Sequence, residues 1–261
     1  MITKIWMMNM KNFSLQMQSA KNRKMNKTLF FILAVLLMIL NLKSYSQEEP
    51  KWDANIGADL VSRYIWRGLA SSKTPAIQPY LEVSKGGFAL GTWASYTIGE
   101  EPIQEIDLYL AYTIGGVTIM LTDYFAYADT LSSYDYFNFG SRSTSHLLDA
   151  QIIYEGPESF PIKATLSTLF FGADKNASEE NNYSTYIELA YAFNINEYSF
   201  SPFIGMNANA GLYNSKVGVV NCGISGKKEI QVNDHFTLPI CVSFISNPLD
   251  KNTFVVFMIS L

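Results

Sequence analysis

The sequence predicts an all-β fold, a transmembrane antiparallel up-and-down β-barrel of about 12 strands. Three observations predict it. The N-terminus has the layout of an export signal, and the chain beyond it alternates wet and greasy residues with period two. That part is also rich in aromatics yet holds no apolar run long enough for a membrane helix: the chain carries 16 Tyr, 17 Phe and 4 Trp, with charged residues only 16%.

The export signal comes first. Lys21, Arg23, Lys24 and Lys27 form a basic run, and Leu29 to Leu40 is unbrokenly apolar. Ser44-Tyr45-Ser46 follows as a small-x-small cleavage site, ahead of Gln47-Glu48-Glu49-Pro50. The apolar stretch is too short for a retained anchor, which needs about 17–25 residues. The expected division is 1–46, N-terminal extension and cleaved signal peptide, and 47–261, the barrel, exported to the cell outer membrane. Met25 is an alternative start that gives a signal of ordinary length. No Cys stands at the cleavage site to carry a lipid.

Residues 1–46 contain seven basic residues and no acidic one, out of 19 Lys+Arg and 23 Asp+Glu in all, so the remainder has a net charge of about −11. That balance excludes nucleic acid as a partner, because binding phosphates needs a basic footprint. Cys222 and Cys241 are too few for a disulfide framework and lack metal-ligand spacing. No cofactor is expected.

Alternation then places the strands. Ile106, Leu108, Leu110, Tyr112 and Ile114 fall on one face, and Asp107, Tyr109, Ala111 and Thr113 on the other. The segment around Glu188 repeats the pattern. Turn residues divide the chain into strands near 52–68, 76–84, 87–98, 103–115, 116–126, 146–155, 161–172, 183–194, 197–210, 215–226, 234–245 and 252–261. Most have the length a tilted strand needs to cross a bilayer. Tight turns at Lys85-Gly86-Gly87, Gly115-Gly116 and Asn194-Ile195-Asn196-Glu197 alternate with long connections at 127–145 and 172–182, which is the pattern of outer-membrane barrels. The connection at 226–234 is long for a periplasmic turn.

Aromatics mark the expected interfaces: Trp52 at the inner end of strand one, Tyr64 and Trp66 at its outer end, and Phe88, Tyr96 and Tyr112 on neighbouring strands. Val255, Phe257, Ile259 and Leu261 end the chain as an every-second-residue apolar row, the kind of signal that barrel-assembly machinery reads. The alternative is a soluble β-sandwich or lipocalin-like barrel with its apolar face inward. Such folds have fewer strands and an aliphatic core, whereas here the wet face is rich in Gly, Ala, Ser, Thr and Asn.

Val61-Ser62-Arg63-Tyr64-Ile65-Trp66-Arg67-Gly68, with Ser71 and Pro75-Ala76-Ile77-Gln78-Pro79 after it, resembles the opening of the TorF family of porin-like proteins, the Gcw_chp proteins of unknown function. Gly87-Phe88-Ala89-Leu90-Gly91-Thr92-Trp93-Ala94-Ser95 and Glu105-Ile106-Asp107-Leu108-Tyr109-Leu110-Ala111-Tyr112 are similar too. The resemblance covers roughly residues 57–125 and implies an outer-membrane barrel and a channel. It does not supply a solute.

Parity assigns Asp59, Arg63, Arg67, Gln78, Glu82, Glu105, Asp107, Lys163 and Glu188 to the lumen. They line either a polar constriction that selects solutes or a salt-bridge network that closes the barrel. Twelve strands ~4.8 Å apart and tilted about 40° give a backbone radius of roughly 12 Å. That admits small solutes and excludes a protein. The leading expectation is passive diffusion of small solutes; the alternative is a closed structural or surface-interaction barrel acting through its outer loops. Outer-membrane lipid, lipopolysaccharide and the assembly machinery are the remaining partners expected. Acids at the outer mouth (Glu100, Glu101, Asp129, Asp135, Asp174, Glu179, Glu180) favour cations and neutral solutes. Asp174, Glu179 and Glu180 also offer a weak divalent-cation or lipopolysaccharide contact, a solvated loop being the alternative. No catalytic residue is expected. The only histidines are His146 and His235, and the serine-rich loop before His146 forms no hydrolase motif.

Overall fold

The computed structural model describes residues 50–99, 103–128, 135–234 and 236–261. The signal-peptide expectation, Glu100, Glu101, Asp129 and His235 lie outside them.

Fifteen strands occur among the described residues: β1 (Asp53–Val61), β2 (Ile65–Trp66), β3 (Leu69–Ala70), β4 (Ala76–Lys85), β5 (Phe88–Thr97), β6 (Ile103–Ile114), β7 (Val117–Ala128), β8 (His146–Glu155), β9 (Ile162–Gly172), β10 (Thr185–Tyr191), β11 (Phe193–Ile195), β12 (Tyr198–Asn207), β13 (Gly218–Asn233), β14 (Phe236–Asn247) and β15 (Asn252–Ser260). All but β2 and β3 join one antiparallel sheet. β1 pairs with β15 and β10 pairs with β12, so the sheet closes on itself with no free edge. β11 continues the line of β10 past Ala192. The result is a closed barrel of twelve strands, the fold class and strand number that the period-two pattern predicts.

Closure follows from register. Side chains of a strand alternate faces and cross-strand partners share one, so each strand fixes the parity of the next. Asp59 stands opposite Gln78, Trp93 opposite Asp107, Asp107 opposite Tyr124, and Thr122 opposite Asp149. Ser167 faces Tyr186, and Glu188 faces Gly205. This polar row points inward. The other parity points outward and is apolar: Ile56, Leu90, Leu110, Ile152, Phe244 and Phe257 are all exposed.

Two strand boundaries differ from the sequence expectation. The tenth and eleventh barrel strands, β13 and β14, pair from Cys222 with Ser246 down to Asn233 with Phe236, so the supposed connection at 226–234 is mostly strand. Strand one stops at Val61 instead of running to residue 68. Beyond it, β2 and β3 form a small hairpin of their own. Arg67 and Gly68 at its tip have φ of 49° and 81°, and two consecutive positive φ values make the tight two-residue turn that suits a hairpin's twist.

Candidate functional site

The β2–β3 hairpin folds into the barrel, and what it touches there is the candidate site. Its apolar side chains drive the insertion. Trp66 and Leu69 pack against a buried cluster of Tyr186, Tyr213 and Val220, together with Leu249. The tip lies so close to β13 that a Cβ on Gly68 would fall 1.9 Å from the Val220 carbonyl oxygen. From β14, Asn247 donates to the Gly68 carbonyl at 3.3 Å.

Arg67 leads the polar contacts. Its Nη2 donates to Asp149 Oδ2 at 2.9 Å, and its Nη1 to Ser167 Oγ at 2.7 Å and to the Tyr213 hydroxyl. The guanidinium lies 4.8 Å from the Trp66 ring and 5.0 Å from Tyr186. Asp149 has no exposed side-chain surface and Arg67 only 10%. Asp149 also accepts from Ser167 Oγ at 2.7 Å and from the Tyr124 hydroxyl at 3.3 Å. This is a buried ion pair with further hydrogen bonds to each partner, the condition under which burial of charge is tolerable. It ties a turn between β1 and β4 to β8 and β9 on another part of the wall.

The stem of the hairpin makes a second contact. Tyr64 donates to Glu105 at 3.3 Å, and its ring lies 5.2 Å from that of Trp93. Trp66 meets Tyr124 edge-on at 5.3 Å. Tyr64 and Trp66 are therefore inside the barrel, a correction of their assignment to the outer interface. The parity count assumed an unbroken strand, whereas β1 ends at Val61 and the chain bends at residues 62–63 before entering the hairpin. The remaining interface aromatics do face outward: Trp52 with Lys85 5.4 Å from its ring, Phe88 against Tyr112 at 4.4 Å, and Tyr96. Lipid that carries a quencher in its acyl chains should dim a single tryptophan at position 52 and spare those at 66 and 93. Equal quenching at 66 would place the hairpin outside the barrel.

The other residues assigned to the lumen lie apart from Arg67. Asp59 is inward and half-buried beside Gln78, whose amide donates to Ser95 at 3.4 Å. Arg63 sits over the Phe254 ring at 5.5 Å. Glu82 accepts from Tyr109 at 2.9 Å. Glu188 accepts from Tyr186 and, at 3.0 Å, from Asn221. Lys163 pairs with Glu155 at 2.8 Å at the short-turn end, both half-exposed, where such a pair contributes little. Glu105 and Asp107 are buried side by side on β6. Parity also holds for Asp149, Gln151 and Ser167, which the sequence reading passed over.

Outside the barrel, His146 is wholly buried. Its Nδ1 lies 2.7 Å from Asp123 Oδ1 and its Nε2 2.6 Å from the Tyr136 carbonyl oxygen, and Phe139 stacks on its ring at 4.2 Å. Both ring nitrogens are thus spent on fastening the 135–145 loop to the wall. Asp174 is not a solvated loop acid. It is buried, and its carboxylate accepts from Asn182 at 2.9 Å and from Ser184 N at 2.8 Å.

A family model described as a bacterial protein of unknown function (Gcw_chp) matches residues 49–221. No curated protein matches the chain in sequence. A solved structure published as "Unveiling the Mechanism Behind the in-meso Crystallization of Membrane Proteins" is similar over 79% of this chain and 83% of its own, at 7% identity and a TM-score of 0.41. A likeness that distant carries no argument about this site.

Proposed function

The chain belongs to the Gcw_chp family, and we propose that it is an outer-membrane barrel that passes small solutes through a lumen gated by the β2–β3 hairpin. The outward apolar surface supports the membrane placement, because exposed greasy side chains on nearly every barrel strand would aggregate in water and suit a bilayer. The basic and apolar run at 21–40 supports export to that membrane, and the closing row of Val255, Phe257, Ile259 and Leu261 supports insertion by the assembly machinery. The solutes would be small molecules, neutral or cationic, given the excess of acids.

One observation carries the gate: a polar-lined barrel is crossed by a six-residue hairpin that a single ion pair, Arg67–Asp149, pins to the far wall. A closed structural barrel is the second reading. It is favoured by the complete burial of inward-facing Asp149, Ser167 and Asn207. Planar-bilayer recording on refolded protein decides between them. The wild type should conduct rarely and in brief events. Replacing residues 65–70 by a short Gly-Ser link should give steady conductance at least several-fold larger. A hairpin-less protein that keeps its heat-modifiable gel mobility but stays silent would leave only the structural barrel.

A further inference from the structure

Glu105 and Asp107 are successive inward residues of β6, so their carboxylates share a face about 7 Å apart along the strand. Both are buried, at 9% and 6% exposure. Lumen acids elsewhere have partners: Asp149 has Arg67, Glu188 has Tyr186 and Asn221, and Glu82 has Tyr109. This pair has few: the Asp107 carboxylate accepts from the Phe125 backbone, but on one side only. Glu105 accepts one bond, from Tyr64 at 3.3 Å, and Asp107 Oδ1 is buried with no hydrogen-bond partner at all. Among the described residues, no Lys, Arg or His forms an ion pair with either carboxylate. An unpartnered buried carboxylate oxygen is costly enough to need a reason.

The surroundings narrow what would satisfy it. Asp107 has Trp93 directly opposite on β5 and Tyr124 directly opposite on β7. Tyr64 closes the side facing the hairpin, its ring against Trp93. These three residues point inward and are half-buried. Calcium and magnesium take six or more oxygen ligands, and no group of three or more His, Cys, Asp or Glu that could hold a metal ion is found among the described residues. Aromatic faces beside a negative charge instead attract a cation with little hydration, through the ring quadrupole and without lone pairs.

We infer that Glu105 and Asp107, walled by Tyr64, Trp93 and Tyr124, form a binding site for a small organic cation of the alkylammonium class. This rests on the barrel reading above and names the solute class its lumen would hold. It does not need the hairpin to open, since binding and conduction are separate readouts.

The test is a titration of refolded protein in detergent, at constant ionic strength, with tetramethylammonium chloride as probe and tryptophan fluorescence as signal. Saturable binding is expected in the millimolar range. Asp107→Asn should weaken it at least ten-fold, Trp93→Leu should weaken it, and Glu158→Gln, at an exposed turn outside the lumen, should leave it unchanged. Asp107→Asn removes an unpaired buried charge and so should fold at least as well as wild type; Glu105→Gln provides the second variant. No saturable binding to wild type, or wild-type affinity retained in both Asp107→Asn and Glu105→Gln, would overturn the site. Displacement of the probe by equimolar magnesium chloride at constant ionic strength would overturn it in favour of a metal site. Failure of the hairpin-less protein to conduct would end the gate and leave this site standing.

Discussion

Arg67→Ala should be the most damaging single substitution on the hairpin, lowering unfolding stability by about 3 kcal/mol. The loss comes less from the missing cation than from the carboxylate left behind. Asp149 is completely buried, and without Arg67 it keeps only the hydroxyls of Ser167 and Tyr124. Backbone strain does not confuse the comparison, since Ala meets the φ of 49° at position 67 with a cost similar to that of Arg.

Two companion variants separate the causes. Asp149→Asn should also cost about 3 kcal/mol, because it leaves the guanidinium buried without a counter-charge, held by Ser167, Tyr213 and two aromatic faces. The double variant should be more stable than Arg67→Ala alone, since no unpaired charge remains buried. Urea midpoints of protein refolded in detergent read all three. If Arg67→Ala and the double variant unfold together, the buried carboxylate is not what the arginine compensates. Arg67→Lys should rescue little, because an ammonium cannot span Asp149, Ser167 and Tyr213 as a planar guanidinium does.

The barrel was legible in the sequence because period two is a local property. Each strand announces its own faces, so the inward direction of Asp59, Gln78, Glu82, Glu105, Asp107, Lys163 and Glu188 follows from alternation alone. The hairpin was not legible by the same rule. Parity counted through residues 62–68 treats Arg67-Gly68 as strand, whereas their positive φ values turn the chain back. The local signal was present: Ile65-Trp66 and Leu69-Ala70 flank a dipeptide ending in Gly, the arrangement of a two-residue hairpin turn.

Asp149 was hidden for another reason. Leu147-Leu148 interrupts the alternation just before it, and the pairing with β9 shifts register between Leu148 and Asp149. The extra residue is Phe170 on β9, so Asp149 keeps its own parity, but its strand pattern cannot reveal which β9 residue stands opposite it. Tyr213 lies in the connection between β12 and β13, where periodicity says nothing. The candidate site is therefore half strand and half loop, and sequence reading reached only the strand half.

That bulge is also where a single methyl group should do most harm. Gly172 ends β9 with φ of 112°, and a Cβ there would lie 1.8 Å from the His146 carbonyl oxygen and 2.7 Å from its carbon. Those are backbone atoms, so no side chain can swing away to make room. The carbonyl is also in use, accepting from Ala173 N at 2.8 Å. Moving it would drag His146 from Asp123 and from the Tyr136 carbonyl, and with it the Phe139 stack that fastens the outer loop. Gly172→Ala thus combines a φ that L-residues avoid with a clash only main-chain movement relieves, for a combined cost of about 3–5 kcal/mol. Gly115→Ala provides the comparison: its φ of 55° is also positive, but nothing lies within 4 Å of its Cβ, so about 1 kcal/mol is expected there. Refolding yield and urea midpoint should fall steeply for Gly172→Ala and slightly for Gly115→Ala, and limited proteolysis should cut the 135–145 loop faster only in the former. Equal losses would mean that torsional strain alone sets the cost and that the bulge yields freely.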